Sequence, residues 1–165
     1  MAIDKIQSES INLADTFAFT GTVSGAGQTN QPAFQGRSST SVSTANNTWT
    51  KMTVDTEDFD TDGKFDHSSN YRFTPTVAGK YYCYGKVYVP FNSPDSDYVA
   101  SAIYKNGLYV SGMSASVVHR NVQIAVTVGV IDLDADDYIE LYGRHQFGET
   151  KNLQGNLFGA YKIIE

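Results

Sequence analysis

Tyr71-Arg72-Phe73-Thr74-Pro75-Thr76-Val77-Ala78-Gly79-Lys80-Tyr81-Tyr82 is the stretch on which the reading of the fold turns. Phe73 anchors the end of one strand, and Pro75, which has no N–H to donate, stops the ladder there. Gly79 supplies a tight turn. Tyr81 then restarts a strand in an apolar run, so two extended segments are separated only by turn chemistry.

The same rhythm continues in both directions. Period-2 apolar runs predict strands over residues 33–41, 49–54, 70–74, 80–90, 99–105, 108–116, 122–133, 138–144 and 156–164, with turn signals between them at short intervals, as in a sandwich or barrel. Asn106-Gly107, between two β-rich runs, is the strongest hairpin signal, because a type I′ turn requires positive φ at both central residues. Apart from a possible helix over 3–14, no segment predicts a helix longer than a turn or two. Eleven Tyr and nine Phe, with plentiful Val, Ile and Thr, favour sheets over helices.

The totals exclude several classes of function. A length of 165 residues fits one domain with a short appendage. The net charge of −6, with twelve basic residues scattered along the chain, argues against nucleic acid, whose phosphates require clustered Lys and Arg. Cys83 is the only cysteine, which leaves no intrachain disulfide and no cysteine-rich zinc site; in Tyr81-Tyr82-Cys83-Tyr84 it reads as a buried, inert thiol. No run of 18 apolar residues predicts a membrane span, and Met1-Ala2-Ile3-Asp4-Lys5 has no signal-peptide core, so the expectation is synthesis in the cytoplasm without membrane insertion.

Residues 32–165 resemble the C1q-like domain of the C1q/TNF superfamily. The matching pieces are Pro32-Ala33-Phe34, Trp49-Thr50-Lys51-Met52, Phe59-Asp60-Thr61-Asp62-Gly63-Lys64-Phe65-Asp66, the opening stretch from Tyr71 to Tyr82, Ile103-Tyr104-Lys105-Asn106-Gly107, Asp136-Asp137-Tyr138-Ile139-Glu140-Leu141, and Phe158-Gly159-Ala160-Tyr161. Their order and spacing carry the resemblance. It implies an all-β, ten-stranded antiparallel jelly-roll sandwich that forms a homotrimer with aromatic side chains along its axis; Tyr82, Tyr84, Phe158 and Tyr161 are the candidates for that interface.

Residues 1–31 differ from the rest and read as an extended attachment arm that docks on another chain, with Ile6, Ile11, Leu13, Phe17 and Phe19 as its apolar contacts. The segment from Ile6 to Gly21 is similar to N-terminal pieces of tailed-phage virion proteins, those of marine phages in particular. Together the two resemblances imply a virion structural protein on the virion surface, either a capsid decoration (cement) protein or a head fibre, with itself and capsid or tail proteins as partners. The alternative is a tail-fibre tip that recognises a host-surface glycan or protein receptor through Tyr98, Tyr109, Arg120, His145 and Phe147.

Chemistry offers less. Asp58, Asp60, Asp62 and Asp66 fall at positions 1, 3, 5 and 9 of a calcium-loop pattern with Gly63 at 6, but Ser69 stands where the bidentate Glu belongs, so a solvated turn is the plainer reading. Asp132, Asp134, Asp136 and Asp137 likewise read as caps on a hairpin turn. His67, His119 and His145 lie in separate elements and no nucleophile elbow accompanies them, so the expectation is a non-enzyme without metal or other cofactor.

Overall fold

The structure, a computed structural model, describes residues 31–89, 98–117 and 123–164; side chains are described for these except residues 113–117, 123 and 156. Among the described residues twelve β-strands follow one another: β1 (Ala33–Arg37), β2 (Val42–Thr44), β3 (Thr50–Lys51), β4 (Thr56–Asp60), β5 (Phe65–Asp66), β6 (Arg72–Phe73), β7 (Gly79–Val89), β8 (Val99–Lys105), β9 (Leu108–Val117), β10 (Gln123–Leu133), β11 (Ile139–His145) and β12 (Lys151–Ile164). No helix occurs among the described residues. The expected ten strands become twelve because short pairings at the sheet margins, such as β2 on β12 and β3 on β11, are added to the long ones. The arm, the possible helix at 3–14 and the arm contacts Ile6, Ile11, Leu13, Phe17 and Phe19 lie outside the described residues.

Two antiparallel sheets form the sandwich. The first has the order β10-β7-β12-β1-β4, with β2 on β12; the second has the order β5-β6-β11-β8-β9, with β3 on β11. Consecutive strands repeatedly fall in opposite sheets, as β9 and β10 or β11 and β12 do, so neither sheet forms before distant segments meet.

The period-2 pattern explains what lies between the sheets. Along β7 the odd residues Tyr81, Cys83, Val87 and Val89 are buried and the even ones half-buried. Phe34 of β1 stacks on Phe73 with centroids 4.3 Å apart, and Phe65 at 4.7 Å and Phe158 at 5.0 Å complete an aromatic core. Phe73 and Tyr81, the two ends of the deciding stretch, are both fully buried, and their rings meet edge-on at 6.1 Å. The Tyr81 hydroxyl donates to the Val77 carbonyl at 2.7 Å, which satisfies its one polar atom within the turn.

The β8–β9 hairpin forms as expected, with Asn106 at φ 53° and Gly107 at φ 75°. It is also fastened to the turn that carries the chain from β10 to β11. Asn106 N donates to the Tyr138 carbonyl at 2.9 Å, Tyr138 N donates to Asn106 Oδ1 at 2.9 Å, and Asn106 Nδ2 donates to Asp137 Oδ1 at 2.6 Å.

Candidate functional site

The outer face of the first sheet is built by alternation and register. Outward residues of β10 are Ile124, Val126, Val128 and Val130, exposed by 38, 49, 50 and 52 %. On β7 the outward residues include Tyr82, Tyr84 and Tyr88. Cross-strand rows follow: Val130, Tyr82 and Tyr161 stand side by side, and so do Val128, Tyr84 and Gly159. The Tyr82 ring lies 5.4 Å from Tyr161 and 6.2 Å from Tyr84. A solvated sheet face ordinarily carries polar residues at these positions, so a row of half-exposed β-branched side chains beside contacting tyrosines marks a surface made to be covered.

Tyr84 is the ordered centre of that face. Its ring crosses Gly159 and its hydroxyl donates to Gln35 Oε1 at 2.9 Å. A Cβ at Gly159 would lie 2.4 Å from Tyr84 Cζ, so only glycine lets the ring pass. Burial, followed by the neighbouring Tyr161 and Tyr82, raises the Tyr84 phenol above its usual range and keeps it a hydrogen-bond donor. Of the four interface candidates, Tyr82, Tyr84 and Tyr161 share this face. Phe158 does not: it is fully buried against Phe34, because it and Tyr161 point to opposite sides of β12.

The outer face of the second sheet carries a different cluster. Tyr104 of β8 stacks on Tyr142 of β11 at 3.8 Å and 20°, and meets Tyr109 of β9 edge-on at 5.8 Å. Trp49, just before β3, lies 6.3 Å from Tyr104 and 6.1 Å from Tyr109. The Arg144 guanidinium sits 5.8 Å over the Trp49 ring and 5.8 Å over Tyr98. Beside them Lys51 Nζ donates to Glu140 Oε1 at 3.0 Å. Burial, and then the Glu140 charge, push the Tyr142 phenol up to about 12. Sequence reasoning singled out Tyr98 and Tyr109 but not Trp49, Tyr104, Tyr142 or Arg144, which come together only through strand order.

Two of the expected loop contacts are corrected. His145 is the last residue of β11 and fully buried, with Nε2 2.9 Å from the Thr44 carbonyl oxygen, and Phe147 folds beneath it with rings stacked at 5.1 Å. His145 faces inward because β11 runs one residue further than the pattern predicts, which puts it on the side of Ile139, Leu141 and Gly143. Arg120 lies outside the described residues.

The acidic loops are occupied by their own chain. Asp66 accepts hydrogen bonds from Asn70 Nδ2 at 2.6 Å and from Ser69 N at 2.9 Å, and these hold its carboxyl down to about 2. Asp60 accepts from Phe65 N at 2.6 Å and Asp62 N at 3.1 Å, while Asp58 pairs with Arg37 and Gln35. The calcium-loop carboxylates thus point to separate partners, and among the described residues no three His, Cys, Asp or Glu side chains gather as a metal ion requires. Asp137 accepts from Lys105 and Asn106 and from Asp134 N, which lowers it to about 2; Asp132 pairs with Lys80 at 2.9 Å. Cys83 is fully buried and its thiol is pushed up to about 12, where it remains protonated at neutral pH.

The two-sheet antiparallel sandwich is an all-β jelly roll, similar in fold to solved C1q and TNF-family domains. The globular domain of zebrafish complement 1qA matches with a TM-score of 0.62 at 15 % identity, covering 82 % of this chain and 99 % of that one. Murine APRIL at pH 5.0 matches with a TM-score of 0.58 at 13 % identity, covering 79 % of this chain and 98 % of that one. The Eiger TNF of S. frugiperda follows at 0.51 and 10 % identity, covering 81 % and 91 %. Identities this low establish the fold alone. No protein-family model matches the chain, and no curated protein matches it.

Proposed function

We propose that the chain is a structural protein of a bacteriophage virion: a homotrimeric jelly-roll head, residues 32–165, that sits on the capsid through the arm of residues 1–31 as a decoration protein or head fibre. The observation that carries the trimer is the outer face of the first sheet, where Ile124, Val126, Val128 and Val130 stand exposed beside Tyr82, Tyr84 and Tyr161. Closing three copies about one axis covers this face in every copy and leaves no open-ended array. The composition of the arm and its likeness to phage virion proteins support attachment. Cys83 and His145, fully buried in the sandwich, fit a module that works through its surfaces rather than by catalysis.

Light scattering on the purified full chain should give a mass near three times 18.1 kDa. Val128→Lys, which places an ammonium group in the centre of the valine row, should give a folded monomer at the same concentration. Deleting residues 2–31 should abolish cosedimentation with virions while the trimer persists. A monomeric parent chain refutes the trimer, an unfolded deletion variant refutes the division into arm and head, and absence of the chain from purified virions refutes the virion assignment.

A further inference from the structure

We propose that the outer face of the second sheet is a binding platform for an acidic saccharide, with Trp49 and Tyr109 as the stacking surface and Arg144 as the carboxylate contact. This concerns the face opposite the valine row and does not depend on the trimer.

Four aromatic side chains from four places in the chain, Trp49, Tyr104, Tyr109 and Tyr142, meet on an outward sheet face. Core packing does not require them there: the inward residues of β11 are Ile139, Leu141, Gly143 and His145, and the register turns Tyr142 and Arg144 away from these. Opposite them in β8 are Ala102 and Ala100, small residues that leave room for large rings to lean across the strand. Tyr109 remains 46 % exposed. Aromatic faces carry a partial negative charge and attract the polarised C–H groups on one side of a pyranose ring, while hydroxyl and amide groups at the rim meet the sugar's own hydroxyls.

The charges select an acidic sugar over a neutral one. Glu140 is already held by Lys51, so it presents no free carboxylate. Arg144 has no carboxylate within ion-pair reach among the described residues. One of its terminal nitrogens donates to the neutral Asn47 amide, and its Nε is buried with no hydrogen-bond partner among the described residues. A guanidinium with no carboxylate partner among the described residues, in a chain of net charge −6 and lying over the rings, offers its remaining terminal nitrogen to a carboxylate. A uronate places its carboxylate at the margin of its own ring, where a pyranose stacked on Trp49 would bring it toward Arg144.

Trp49 is the only tryptophan in the chain, so its fluorescence reports on the platform without interference. Titration of the full chain with hexagalacturonate should give a saturable change in Trp49 emission, at least about tenfold tighter than with maltohexaose. Arg144→Gln should erase that preference, and Tyr109→Ala, at an exposed position, should weaken hexagalacturonate by about tenfold with an unchanged melting curve. Absence of a saturable response to hexagalacturonate overturns the proposal, as does an Arg144→Gln variant that keeps the preference. An equal response to hexaglutamate also overturns it, by assigning the face to acidic peptides.

Discussion

Replacing Gly159 by alanine puts a methyl carbon where the Tyr84 ring lies. The added Cβ would stand 2.4 Å from both Tyr84 Cζ and Oη and 2.8 Å from the Phe34 carbonyl oxygen, whereas carbon atoms pack at about 3.5–4.0 Å. The Phe34 carbonyl belongs to the β1–β12 ladder and has little freedom to retreat, so the ring must swing out and its 2.9 Å bond to Gln35 is lost. Overpacking costs about 1–3 kcal/mol and the lost hydrogen bond about 1 kcal/mol more. At about 2–4 °C per kcal/mol for a chain of this size, the Tm should fall by about 5–15 °C. The assay is thermal unfolding by circular dichroism at one fixed protein concentration, since association would itself shift the Tm. The Tyr84→Ala/Gly159→Ala double variant removes the ring that clashes, so its loss should be smaller than the sum of the two single losses by at least about 1 kcal/mol. A Gly159→Ala chain within about 0.5 kcal/mol of the parent, or strict additivity, refutes the argument.

The Asp66 carboxyl lies below its unfolded value, so the stability it contributes is present above about pH 4 and drains away as pH falls toward about 2. The difference in stability between the parent and Asp66→Ala, about 1 kcal/mol at most once solvent screening is allowed for, should therefore be largest near neutrality and close by about pH 2; a gap that widens in acid contradicts it. Cys83 should react with a disulfide reagent at least about a hundredfold more slowly in the folded protein than in denaturant, and rapid native labelling would show that the core opens. Calcium should move the Tm by less than about 1 °C, because the carboxylates of the Asp58–Asp66 loop are already engaged; a rise of several degrees reversed by chelator would show a site.

Long, buried strands were the legible part of the fold. The run 99–105 matches β8 residue for residue, and 80–90 and 122–133 match β7 and β10 to within a residue at either end, because alternation over seven or more residues leaves one reading. β4 escaped: Thr56-Glu57-Asp58-Phe59-Asp60 is an acidic edge strand with no buried side, so nothing in its pattern marks it. β2 is three residues of pairing on the end of β12, and the start of β12 is obscured by Gly155 and the register shift after it. In the site, Tyr82, Tyr84, Phe158 and Tyr161 came from the resemblance alone; parity, with Tyr81 buried and Tyr82 and Tyr84 facing out, separates Phe158 from Tyr161. The valine row is harder to read. In Ile124-Ala125-Val126-Thr127-Val128-Gly129-Val130 the larger residues point outward and the small ones inward, and Leu141 of the facing sheet presses close at Gly85, the cross-strand partner of Thr127. The Trp49 cluster joins residues as distant in sequence as Trp49 and Arg144 and becomes visible only once the strand order is known.

The clasp between the β8–β9 hairpin and the turn entering β11 bears on how the molecule ages. In an open chain Asn-Gly is a chemically weak link, because the unhindered glycine nitrogen can attack the asparagine side-chain carbonyl, expel its amide nitrogen as ammonia and close a cyclic imide that water opens to aspartate or isoaspartate. Here the Asn106 side chain uses its oxygen on Tyr138 N and its nitrogen on Asp137, and its backbone is fixed at φ 53°. The approach that ring closure needs is blocked while the turn is shut. Isoaspartate at position 106 would thus serve as a tally of time spent with the hairpin open, a record kept as the small gain in mass when that amide becomes a carboxylate.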